Sequence, residues 1–159
     1  MIGGGGHLRS VRLRTFPVRC SPMMRSLDIR AIVLATLAVI GIDFLAGSVL
    51  MSAYAGEQIA RAADDAARKV ILDALAANPE YLRAVLILGT ASTVVGGFLV
   101  ARIARSIPYF NGLAYGVVAV VLNLWPTHGL PTWFKAVGIG LTVPAALLGA
   151  YFGKRPLSK

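Results

Sequence analysis

Long apolar stretches alternate with short clusters of charge along this chain. Residues 31–54 are apolar apart from Asp43. From Ala84 to Ala101 no charge occurs, and Arg83 and Arg102 bound the run. A long uncharged stretch lies between Arg105 and Lys135 and must be divided. Pro108 and Asn111-Gly112 mark its start, and Trp125-Pro126 ends its first part. The last apolar run lies between Lys135 and Lys154. About 20 apolar residues cross a hydrocarbon core, and somewhat fewer suffice when flanking lysines and arginines snorkel. The pattern therefore predicts an all-α integral membrane protein. Its membrane domain, residues 30–155, is expected to be a four-transmembrane-helix bundle with spans over 31–54, 84–105, 109–125 and 135–153.

The segment between the first two spans has a different period. Residues 57–77 are rich in Ala and contain neither Gly nor Pro. Ile59, Ala63, Ala66, Val70 and Ala74 recur at helical spacing and form an apolar stripe. This predicts an extracytoplasmic amphipathic helix over 57–77, lying on the membrane or over the bundle. Asp64 and Arg68 are four apart and suited to pair. Asn78 suits an N-cap and Pro79 the first position of the next helix.

Composition agrees with a membrane setting, since 57% of residues are hydrophobic and only 14% charged. The net charge of +9 is sorted by side. Eleven of the 16 Lys and Arg fall with both termini and the 102–105 turn, beside one acid, Asp28. Five fall on the opposite side with five acids. By the positive-inside rule both termini are cytoplasmic. Tyr54, Tyr81, Trp125 and Trp133 sit at the expected outer span ends, where amphipathic rings collect. Basic residues that flank apolar spans imply the lipid bilayer as partner and no nucleic acid. Residues 1–29 read as a basic, disordered cytoplasmic tail, or as an upstream start with Met23 or Met24 as the first residue. Ala53-Tyr54-Ala55 also fits a signal-peptidase site, which would remove the first span.

The single cysteine, Cys20, and the two histidines, His7 and His128, give no basis for a disulfide, zinc or haem. No metal and no cofactor is expected. Neither a Ser-His-Asp set, a Cys-His pair nor an HExxH motif is present, so no enzymatic activity is expected.

Small residues recur at four-residue spacing: Gly89, Thr93, Gly97 and Ala101 in the second span, Gly112 and Gly116 in the third, Gly149 and Gly153 in the fourth. In lipid such faces let backbones approach closely, within one bundle or between copies. The second and fourth spans also echo each other at an offset of 52, with Thr90 matching Thr142 and Gly97 matching Gly149. This suggests a hairpin used twice. Asp43 is the one ionisable group deep in a span, which makes it a candidate site. Asn123, at similar depth in the third span, is its expected hydrogen-bond partner, with Thr36, Ser48 and Thr93 as alternatives.

The stretch Val94-Val95-Gly96-Gly97-Phe98-Leu99-Val100-Ala101-Arg102-Ile103-Ala104-Arg105, followed by Asn111-Gly112-Leu113 and a fresh apolar run, resembles small four-span inner-membrane proteins of bacteria. An aspartate in the first helix is common among them, as at Asp43. The resemblance implies a bacterial plasma membrane and supplies no catalytic residue. The expected function is non-enzymatic: a packing or complex-forming membrane protein, as a homo-oligomer or within a larger complex. The alternative is a small transporter or channel subunit using Asp43 as an intramembrane proton or cation site.

Overall fold

The computed structural model describes residues 27–104, 107–124 and 130–154. The basic tail before residue 27, the span boundaries expected at Arg105 and Trp125, and His128 lie outside the described residues. The described chain forms five helices and no strand: α1 (Ile29–Arg61), α2 (Asp65–Ala77), α3 (Pro79–Ile103), α4 (Pro108–Leu124) and α5 (Thr132–Gly153). Among them α1, α3 and α5 are long and apolar enough to cross a membrane. Much of their apolar surface is turned outward, as at Phe44, Leu45 and Val49, which suits lipid rather than water. The protein is thus a helical membrane protein. At 17 residues, α4 is apolar but shorter.

The helix expected over 57–77 is divided. Residues 57–61 continue α1, and α2 starts only at Asp65. Ala, Glu and Gln favour the helical state there, and Arg61 bonds Glu57 one turn back at 3.3 Å. Gly56 is too weak a breaker to stop the helix. The break comes where Ala62 turns extended and the Asp64 carboxyl accepts the Ala67 N–H at 2.7 Å. Because Asp64 is occupied as this cap, Arg68 pairs with Asp65 at 3.5 Å instead of with Asp64. Asn78 then caps α3, accepting from Glu80 and Tyr81, with Pro79 in the first turn.

Helix α3 is the centre of the bundle and packs most extensively on α5. The two run in the same direction and touch through small residues. A methyl group on Gly97 would collide with the Ala146 carbonyl, and one on Gly149 with the Val94 carbonyl. One on Gly153 would lie 2.9 Å from the Ala101 methyl. Helix α4 joins by the same means. Added methyls would lie 2.6 Å from Ala150 Cβ at Gly112 and 3.1 Å from Ala146 Cβ at Gly116. Tyr115 is buried with its hydroxyl over Gly96, in a core shared with Ile32, Ala35, Val39, Val100 and Ala146.

The same end of the bundle is tied by a buried amide. Asn111 is fully buried within α4, inside the span expected over 109–125. Its Oδ1 accepts the Asp28 N–H at 2.8 Å and its Nδ2 donates to the Ile107 carbonyl at 3.2 Å. Asp28 in turn caps α1 by accepting from Ala31 at 3.2 Å. One side chain thereby fixes the start of α1 against the start of α4. The backbone turns at Ile107, with φ of 30°, just before Pro108.

Candidate functional site

From this tied end α1 and α4 share few further contacts. Towards the other end the helices enclose a partly open cavity of about 210 Å³. Asp43 of α1, Thr90 and Thr93 of α3, Asn123 of α4, and Lys135 and Thr142 of α5 give it its polar character. Leu86, Leu124 and Phe134 supply apolar wall. The space is large enough for several waters or a small solute.

The threonines explain the polarity on offer. Thr90 donates to the Leu86 carbonyl, Thr93 to Gly89 and Thr142 to Gly138, each at 2.7 Å. A hydroxyl carries one proton, and bonding it one turn back leaves only oxygen lone pairs for a guest. The Asp43 carboxyl and the Asn123 carbonyl add further acceptors. Apart from the Asn123 amide, Lys135 is the other side-chain donor in the lining.

Asp43 and Asn123 border the same cavity, yet no hydrogen bond joins them among the described residues. The carboxyl instead lies beside Ser92 of α3, whose hydroxyl donates to the Gly89 carbonyl at 3.0 Å. Of the alternatives considered, Ser48 donates to Phe44 O at 2.7 Å, Thr93 to Gly89 as above, and Thr36 Oγ1 is buried without a partner. The small residues divide into two groups. Gly97, Ala101, Gly112, Gly116, Gly149 and Gly153 lie in the helix contacts of the closed end. Gly89 has nothing within 4 Å of an added methyl and lines the cavity, as does Thr93. No three His, Cys, Asp or Glu side chains gather among the described residues in a way that would hold a metal.

Sequence reasoning missed Ser92, Asn111 and Lys135. Ser92 was visible only as a serine 49 residues along from Asp43, with nothing to set the rotation of α1 against α3. Asn111 marks the start of the third span in the sequence, where nothing shows that its amide reaches Asp28. Lys135 looked like an ordinary span boundary.

No protein-family model, curated protein or solved structure matches this chain. The likeness to small four-span bacterial proteins therefore stands on the quoted stretch alone.

Proposed function

We propose that this is a four-span, non-enzymatic protein of the bacterial inner membrane that binds a small cationic solute at Asp43, as a transporter or channel subunit. Both termini are cytoplasmic in this reading, so the cavity opens in the outer half of the membrane. The fourth span is α4. Its 17 residues reach about 25 Å, near the lower limit for crossing the core, and it packs along α3 and α5. Support for the repeated hairpin comes from the contact between α3 and α5. Gly149 stands to Gly97 as Ala146 stands to Val94, an offset of 52 both times, and each glycine faces the other helix at the exchanged position.

The observation that carries the solute-binding reading is the acceptor-rich lining around a carboxyl at membrane depth. Burying such a group costs several kcal/mol in lipid, and a cavity that admits water and a cation offsets that cost. Asp43→Asn keeps size and hydrogen bonding while removing the charge. Expected is wild-type abundance with loss of amine binding, measured by calorimetry on protein in nanodiscs. Undiminished binding by that variant would refute the assignment.

A second reading, a packing or complex-forming protein, is favoured by the apolar row on α1, where Phe44, Leu45 and Val49 are 75%, 68% and 70% exposed. Native mass spectrometry from nanodiscs separates the two, since a stable oligomer supports packing and a monomer opposes it.

A further inference from the structure

We infer that the ligand of this cavity is a zwitterion, with an ammonium group for Asp43 and an anionic group for Lys135. The inference rests on the solute-binding reading and narrows it to one class of compound. Lys135 lines the same cavity as Asp43 and is half-buried. The ion pairs among the described residues, Arg61 with Glu57 and Arg68 with Asp65, include neither Asp43 nor Lys135. Two other cations at span ends lie over rings: Arg102 over Phe98 at 5.5 Å, and Lys154 over Tyr151 at 4.8 Å. Lys135 has no such contact among the described residues. One carboxyl and one ammonium thus face a single space without meeting.

Their separation fits a short zwitterion. Contacts of Gly97 with Ala146 and of Gly149 with Val94 set α5 and α3 in register and place Lys135 level with the start of the α3 span. Asp43 is level with Ser92. The axial distance is about 13 Å at 1.5 Å per residue, and the flexible four-carbon stem of Lys135 covers part of it when turned into the cavity that it lines. A simple monocation at Asp43 would feel Lys135 as a repulsive neighbour across a poorly screened space. A simple anion at Lys135 would meet a lining of acceptors. A molecule carrying both charges, a few carbons apart, satisfies both ends. Such a molecule is either a free amino-acid-like solute or the headgroup of an ethanolamine lipid, in which phosphate replaces the carboxylate.

The test compares three probes on one carbon skeleton: 4-aminobutyrate, n-butylamine and butyrate. Each is titrated by calorimetry into the full-length protein in nanodiscs of anionic lipid alone. A second set of nanodiscs contains phosphatidylethanolamine. The expected result is 4-aminobutyrate binding at least tenfold tighter than butylamine, with butyrate silent. Lys135→Gln should erase that gap and Asp43→Asn should abolish both. Binding of 4-aminobutyrate that is strong without phosphatidylethanolamine and unaffected by it identifies a free solute. Retention of phosphatidylethanolamine through purification, lost in Lys135→Gln, with no 4-aminobutyrate signal, identifies the headgroup. Butylamine binding as tightly as 4-aminobutyrate in the wild type overturns the zwitterion while leaving a cation site at Asp43. No Asp43-dependent binding of any probe, with no retained lipid, overturns both. The wild-type probe series decides the matter even where a variant folds poorly.

Discussion

A methyl group at Gly149 would run into the Val94 carbonyl and lie 2.8 Å from the Phe98 nitrogen, whereas one at Gly41 would meet nothing within 4 Å. Both residues are helical, so their intrinsic propensities are alike and only the neighbour differs. Gly149→Ala is expected to destabilise the bundle by about 1–3 kcal/mol through overpacking. Gly41→Ala should be neutral or stabilising by up to about 1 kcal/mol. Thermal unfolding in one detergent checks both, and equal effects would mean that α3 and α5 do not meet at Gly149. Asn111→Ala leaves the Asp28 N–H without its partner, while the Ile107 carbonyl keeps the backbone N–H of residue 111, at a cost of about 1–3 kcal/mol. At this scale the sequence is half-legible. The spacing of Gly89, Thr93, Gly97 and Ala101 marks one face of a helix. It does not say how far along that face a neighbour stays close, and Gly89 lies where the helices have parted.

Among the elements, the connections are where local chemistry and tertiary packing compete. Asn78-Pro79 reads correctly as a helix start because cap and proline act within one turn. The break at 62–64 does not, since nothing in the alanine-rich run distinguishes Asp64 from Asp65 until one carboxyl turns back to the Ala67 N–H. Asp64→Ala should cost about 1 kcal/mol and fray α2 first, visible as faster amide exchange at residues 66–69 with α3 unchanged. Ile107 is a sharper case. A β-branched residue at φ of 30° is strained, and the proline after it restricts the backbone further. Its side chain is 53% exposed, so little burial is lost on removing it. Ile107→Gly is therefore expected to stabilise the protein by about 1 kcal/mol, through relief at this one dihedral. A fall in melting temperature instead would show that the Ile107 side chain contributes more by contact than its backbone costs.

For the whole molecule, the asymmetry of charge and the asymmetry of packing point the same way. Among the described residues, the end tied by Asn111 and closed by Gly97, Gly149 and Gly153 carries Arg30, Arg102 and Lys154 against one acid, Asp28. The end that opens into the cavity carries acids and bases in equal number. The first asymmetry is plain in the sequence, because charge sorting needs no knowledge of contacts. The second is not, because a cavity depends on helix divergence, and apolar residues look alike whether they face lipid or a neighbour. Together they predict a closed face towards the cytoplasm and an open one away from it. Labelling with a membrane-impermeant maleimide tests this in intact cells. Cys20, in the tail, should react only after permeabilisation. Ala63→Cys in a Cys20→Ser background lies in the extended break between α1 and α2 and should react at once. Bound solute should not alter the Ala63→Cys rate, since that site lies beyond the end of α1 and does not line the cavity. Asn123→Cys, by contrast, borders the cavity and should be labelled from outside and protected by 4-aminobutyrate. Labelling of Asn123→Cys from the cytoplasmic side alone would invert the topology and place the positively charged face outside.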